Sequence, residues 1–212
     1  MPQLPLPLNL PARFSADNFF VSECNEEAYE TILNKKNWQQ HALYLHGQKG
    51  AGKSHIAYIW AQKEKASFIP YHNINPEAVG KNSVIEDIEF CTDETKLLHL
   101  FNHSRDIGAK LLITSSLLPS DLPFTLPDLT SRLRACQLAK INLPDDLLIT
   151  NVMRKLFSDR QLLVDDEVIN YLSTRVERTL ESVKALVGKI DASALAQQKN
   201  ITIPFVRKLL GY

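Results

Sequence analysis

The sequence predicts an α/β fold, a five-stranded parallel sheet with helices on both faces, followed by a small all-helical domain. Three observations carry that expectation. Five short apolar runs alternate with stretches of helical periodicity, which is how strands buried beneath crossover helices read. A glycine-rich loop joins the first run to a helical stretch. Beyond residue 141 the strand-like runs cease and only helical periodicity continues.

Composition bounds the rest. With 212 residues, 44% of them hydrophobic, the chain has ample material for a core in one large domain or two unequal ones. Its 24 basic and 24 acidic residues cancel, so the total argues for neither nucleic acid nor an anionic membrane as partner. Cys24, Cys91 and Cys136 are odd in number, widely spaced and free of any CxxC pair, the pattern of buried thiols in a reducing cytosol. No apolar run approaches the roughly twenty residues needed to span a bilayer, so a cytoplasmic protein is expected.

The chain opens MPQLPLPLNL, which has no basic n-region and no unbroken apolar core, and so is not a signal peptide. Pro5 and Pro7 remove two backbone donors and fix φ, holding the segment extended with Leu4, Leu6 and Leu8 projecting. That suits a peptide ligand, and equally a loose proline-rich tail. An aromatic arm, Phe14 to Val21, precedes a helix on which Tyr29, Ile32 and Leu33 share a face, capped by Ser22 or Asn25. The strands are ALYLH (42–46), SFIPY (67–71), SVIEDI (83–88), KLLIT (110–114) and CQLAKI (136–141). Ile56, Ile59 and Trp60 mark the helix after the first strand; Leu97, Leu98 and Phe101 mark the one before the fourth. NLPDD (142–146) reads as a linker. Amphipathic helices then carry Leu148, Val152 and Leu156, next Val168, Ile169 and Leu172, and then Val183, Leu186, Val187 and Ile190, before Thr202 and Pro204 start a short last one. The expected division is a tail over 1–11, an α/β domain over 12–144 and a helical domain over 145–212.

The strongest chemical signal is GQKGAGKS (47–54), which satisfies G-x-x-x-x-G-K-[ST] and sits between a strand and a helix, as a phosphate cradle requires. Gly47, Gly50 and Gly52 allow the backbone amides, Ala51 among them, to turn around phosphate oxygens at a helix N-terminus. Lys53 reaches for the β and γ phosphates, and Ser54 offers its hydroxyl to Mg²⁺. His55 reads as first-turn packing at the edge of that nucleotide site. Glu86 and Asp87, at the end of SVIEDI, fit the acidic pair that holds Mg²⁺ through water and orients the attacking water. Thr114, Ser115 and Ser116 end the fourth strand and place polar groups near the γ phosphate or simply form a turn. Two arginines stand out. Arg132 lies between the fourth and fifth strands, where a guanidinium could complete a neighbour's site; Arg178 lies at the start of a helix that could lean over the nucleotide; a surface arginine is more often just a solvated charge, and that reading stands for both. His99 and His103 are spaced i,i+4, but HLFNH holds no acidic base and no third ligand is evident, so zinc is not expected.

Taken in order, FSADNFFVSECNEEAY, HALYLHGQKGAGKSHIAYIW, SVIEDIEF, KLLIT, LPDLTSRL and ITIPFVRKLL resemble the AAA+ module of the bacterial initiator DnaA over nearly the whole chain. The length and opening peptide are more specifically similar to its short homologues of the Hda type, alphaproteobacterial HdaA included. The resemblance implies an AAA+ P-loop fold with a helical lid, and ADP or ATP with Mg²⁺ as cofactors. It makes Gln3, Leu4, Leu6 and Leu8 the contacts of a peptide that docks on the β sliding clamp of DNA polymerase III. It makes Arg132 an arginine finger acting in trans on ATP bound to DnaA, and Arg178 a sensor arginine on the chain's own nucleotide. Phe19, Phe20 and Val21 then border the adenine. The implied role is regulatory inactivation of DnaA on DNA-loaded clamp, preventing reinitiation, and it admits a nucleotide-dependent homodimer.

Departures from the family pattern temper the enzymology. Glu86 stands where DnaA has aspartate, and the loop after KLLIT lacks the aspartate often found there, so the chain's own ATPase is expected to be weak or absent. No room is left after residue 212 for the DNA-reading helix-turn-helix, so sequence-specific origin binding is not expected. Two readings from other classes stand beside the adaptor: an autonomous P-loop ATPase such as a helicase loader, and a purely structural competitor for the DnaA interface.

Overall fold

The computed structural model describes residues 16–211. The described part of the arm opens with a 3-10 turn, Ala16–Asn18, and helix α1 (Glu26–Leu33) follows. Then come β1 (Ala42–His46), α2 (Lys53–Glu64), β2 (Ser67–Ile69), β3 (Ser83–Ile85), α3 (Glu94–Asp106), β4 (Leu111–Ser115), α4 (Pro127–Ala135) and β5 (Gln137–Lys140). Helices α5 (Asp146–Ser158), α6 (Asp166–Ser173), α7 (Leu180–Gln197) and α8 (Ile203–Leu210) complete the chain.

The five strands form one sheet in the order β2-β3-β4-β1-β5, every neighbouring pair parallel. Successive residues of a strand point to opposite faces, and both sets here are apolar. Ala42 and Tyr44 of β1, with Leu111 and Ile113 of β4, pack against Leu97, Leu100 and Phe101 of α3 and Leu129 and Leu133 of α4. Leu43 and Leu45, with Val84 and Leu112, face Ala28 and Ile32 of α1 and Ile56, Ala57 and Trp60 of α2. Helices therefore cover both faces, and the sheet domain is of the α/β class the alternation predicts. Each fully buried leucine contributes about 1.5–3 kcal/mol. Trp38 stacks on Trp60 at 5.2 Å between ring centroids, so both tryptophans lie in this unit.

The order of strands places the site. From β1 the chain crosses to β2 at the far edge, whereas from β4 it passes over β1 to reach β5. Connections thus part at the carboxyl end of β1, the crevice where open α/β sheets bind ligands.

Several elements differ from their sequence outlines. Pro70 ends β2 after three residues, and β3 stops at Ile85 because Asp87 turns into the left-handed region at φ 51°. LPDLTSRL forms a helix, α4, with Pro127 in its first turn. Asn25 occupies the N-cap of α1 without capping it; its Oδ1 instead accepts from the Ser22 amide at 3.0 Å.

Residues 144–211 form a second compact unit with its own apolar core. Ile149, Met153 and Phe157 of α5, Val168, Ile169 and Leu172 of α6, Val183, Val187 and Ile190 of α7, and Val206 of α8 converge there. Three of its helices are capped by side chains: Asp145 accepts from the Leu148 amide at 2.7 Å, Thr179 from Ser182 at 3.0 Å and Thr202 from Phe205 at 3.4 Å. No helix among the described residues is long and apolar enough to cross a membrane.

Candidate nucleotide site

The glycine loop springs from the end of β1, and its glycines are demanded by geometry. Gly50 and Gly52 have φ of 75° and 102°, the region L side chains rarely enter, and Gly52 is the N-cap of α2. Gly47 has a different reason. A Cβ there would stand 3.1 Å from Ile141 Cβ and 3.3 Å from the Ile141 carbonyl oxygen, while its amide donates to Ser115 O at 3.2 Å. Inside this turn the Ala51 amide donates to Gln48 O at 3.1 Å.

Lys53 is buried, and its Nζ donates to the carbonyls of Gly47 at 2.8 Å and Gln48 at 3.2 Å. Burial lowers its pKa, opposed by the charges of Asp87, Glu89 and Glu86. One ammonium thus faces several carboxylates. Glu86 is pushed above the usual carboxylate range by burial, with Asp87 adding repulsion and a hydrogen bond from Ser54 working the other way. Its Oε1 is buried without a partner. Ser54 and Glu86, the two expected to bring Mg²⁺ into place, are therefore in direct contact, and the orphaned oxygen is an acceptor facing no donor. That donor set suits a hard, hydrated divalent cation, which takes oxygen ligands and would neutralise phosphate charge.

Asp87 is also raised, by burial and by Glu89, and its amide donates to Thr114 Oγ1 at 3.2 Å. The Ser115 hydroxyl oxygen accepts from the Leu117 amide at 3.0 Å. Ser116 donates both its amide, at 2.9 Å, and its hydroxyl, at 2.5 Å, to Glu89 Oε1. Burial alone would raise the Glu89 pKa, but the hydroxyls of Ser116 and Ser115 and the Ser116 amide outweigh it and hold the carboxyl below the usual range. Glu89 is the residue sequence reasoning missed. The signal was its place three residues after Glu86, which a 3-10 turn over Ile88–Phe90 carries back toward the strand ends.

The arm lies beside the first turn of α2. Phe19 stacks on Tyr29 at 5.3 Å and meets His55 edge-on at 5.1 Å. The Phe20 carbonyl accepts from Asn25 Nδ2 at 3.0 Å, and Val21 is 44% exposed. Arg132 does not join this cluster: it sits in the last turn of α4, forked onto Asp128 through Nε and Nη2 at 3.1 Å each. Arg178 belongs to the helical unit, in the loop just before α7, where it pairs with Asp146 at 2.8 Å and donates to Pro144 O at 3.4 Å. His103 Nε2 is bonded to Val79 O at 2.8 Å, while His99 is exposed. Gln3, Leu4, Leu6 and Leu8 lie outside the described residues.

Residues 149–210 match the family model described as the lid domain of Hda. The helical unit is similar to an Hda lid domain. The whole chain aligns with a Haemophilus influenzae protein described as uncharacterized, 28% identical over 99% of this chain and 98% of that one. It is also 24% identical to the chromosomal replication initiator DnaA of Aliarcobacter butzleri over 93% of this chain and 52% of DnaA, and so spans about half of that relative. Domain III of Thermotoga maritima DnaA superposes with a TM-score of 0.78 at 22% identity, covering 95% of this chain and 97% of that one. DnaA of Aquifex aeolicus, solved with AMPPCP bound, superposes at 0.73 and 18% identity over 90% of this chain and 69% of that one. These likenesses establish an AAA+ fold of the DnaA kind. Together with the match to the Hda lid model, they support a DnaA-related replication regulator.

Proposed function

We propose that this chain is a nucleotide-bound adaptor that brings the sliding clamp and DnaA together and stimulates hydrolysis of DnaA-bound ATP. In this reading residues 1–11 dock on DNA-loaded clamp through Gln3, Leu4, Leu6 and Leu8, residues 12–144 hold ADP or ATP with Mg²⁺, and 145–212 form the lid. Gly47, Gly50, Ala51, Gly52 and Lys53 cradle the phosphates, Ser54 and Glu86 hold the cation, and Phe20, Val21, His55 and Arg178 border the nucleotide. The binding of AMPPCP by Aquifex DnaA, on the same fold, supports nucleotide as the ligand.

The observation that carries the in-trans role is the separation of Arg132 from the chain's own cradle. Arg132 lies in the last turn of α4, whose final carbonyl, Ala135 O, accepts from the Gln40 side chain at 3.0 Å just before β1 begins, whereas the cradle leaves the opposite end of that strand. A guanidinium placed away from its own phosphates, on a partly exposed helix, suits transition-state charge on another molecule. Glu86, with its extra methylene and its contact to Ser54, fits binding better than rapid turnover.

The test is release of labelled phosphate from ATP preloaded on DnaA, with DNA-loaded clamp present. Native protein is expected to stimulate release, and Arg132→Ala and the double change Leu6→Ala, Leu8→Ala to lose the stimulation. Strong turnover by the chain alone, or no stimulation by native protein, would replace the adaptor with an autonomous ATPase or a competitor.

A further inference from the structure

Arg132 is held in one pose. Its Nε and Nη2 donate to Oδ1 and Oδ2 of Asp128, one helical turn earlier, both at 3.1 Å. This side-on fork occupies one edge of the guanidinium plane. The other edge, Nη1 with the outward hydrogen of Nη2, has no partner among the described hydrogen bonds, and it is the edge that grips a phosphate end-on. Arg132 keeps 28% of its side-chain surface exposed and Asp128 55%, so the pair is open to a partner. An i,i+4 pair that exposed adds little to helix stability. Stability therefore does not explain its geometry.

The surroundings make the pose worth holding. Gln40 joins the end of α4, through Ala135 O at 3.0 Å, to the Lys110 ammonium, which donates to the Gln40 carbonyl at 2.8 Å, so a second cation stands near the finger. Asp128 is the carboxylate bonded to it. We infer that Asp128 is a positioning residue that sets the Arg132 guanidinium side-on, leaving its end-on edge presented to a nucleotide phosphate carried by another molecule. An arginine ordered before the encounter loses less freedom in the transition state. The aspartate charge also weakens the pull of Arg132 on phosphate, but at an exposed pair water screens that loss.

This inference rests on the reading that Arg132 acts on partner-bound ATP, and the experiment separates the two. Phosphate release from ATP preloaded on DnaA, with DNA-loaded clamp, is measured against increasing concentrations of native, Asp128→Ala, Asp128→Glu and Arg132→Ala protein, each with its thermal midpoint. Asp128→Ala is expected to lower the maximal rate about threefold to tenfold, the scale of ordering one long side chain, with the half-saturating concentration unchanged. Asp128→Glu, which can reach Arg132 at the same spacing, is expected to restore most of the rate. Three results overturn the inference while Arg132→Ala is inactive. These are a native or higher rate in Asp128→Ala, a change confined to the half-saturating concentration, and an equal loss in both Asp128 variants with a lowered midpoint, which marks a helix-end role. Full stimulation by Arg132→Ala overturns the underlying reading instead.

Discussion

Replacing Gly47 by alanine tests the cradle at the point where backbone and core meet. The added Cβ would stand 3.1 Å from Ile141 Cβ, 3.3 Å from Ile141 O and 3.4 Å from Ala51 Cβ. Ile141 cannot withdraw easily, since it is 3% exposed and its amide donates to His46 O at 2.8 Å. Overpacking of this kind costs about 1–3 kcal/mol. With the usual urea slope for a small domain, that lowers the midpoint by about 1 M. Gly80→Ala is the matched control: nothing lies within 4 Å of its built Cβ, so the change is expected to be neutral or to stabilise by about 0.4–1 kcal/mol. Both unfolding curves can be read from Trp38 and Trp60, which report the sheet unit alone. The displaced turn should also weaken binding of a fluorescent ADP analogue in Gly47→Ala and leave it unchanged in Gly80→Ala. A Gly47→Ala protein as stable and as tight-binding as native would show that the close approach to Ile141 is not a constraint, and the steric reasoning would fall.

Two further outcomes follow from the carboxylates around Lys53. Glu86 has a raised pKa, so its ionised form opposes folding as pH rises past the ordinary glutamate range. Glu86→Gln is accordingly expected to raise the ligand-free thermal midpoint at neutral pH by about 1–3 °C, allowing for solvent screening, and to abolish any effect of chelator on ADP binding. Glu89 has the opposite sign. Its depressed carboxyl adds stability above the unfolded value near 4.5 that is lost as pH falls through the folded value. Glu89→Gln is expected to be less stable than native at pH 7 and to show a flatter acid limb, measured by urea midpoints across that range. Parallel native and variant curves would remove Glu89 from the account.

What the sequence makes legible follows from what its patterns encode. Within ALYLH and KLLIT, the stretches ALYL (42–45) and LLI (111–113) are apolar at every position because β1 and β4 are buried on both faces, so the central strands stand out clearly. The helical unit is equally readable through the spacing of Val183, Val187 and Ile190 on α7. Edges are harder. SVIEDI looks like six residues of strand, yet Asp87 adopts φ 51° and breaks the extension, a backbone choice that apolar periodicity does not record. The shortness of α4, only Pro127–Ala135, hides its period among turn residues. For the site, spacing locates the glycine loop between its strand and helix. Contacts between distant segments have no such trace: Ser116 meets Glu89 across 27 residues, and the Asn25 side chain turns back to Ser22 instead of capping forward.

The unpartnered oxygen of Glu86 and the crowd of carboxylates around Lys53 also bear on the molecule's lifetime. A ligand that binds only the folded state stabilises it by mass action. Here a cation with its phosphates would add relief of repulsion already present in the empty site. Loaded and empty molecules should therefore differ widely in how often the loop and its flanking strands open, and opening is what proteases sample. On the proposed reading the nucleotide-free molecule is then the one expected to be cut first, and resistance to protease should rise with added nucleotide and Mg²⁺.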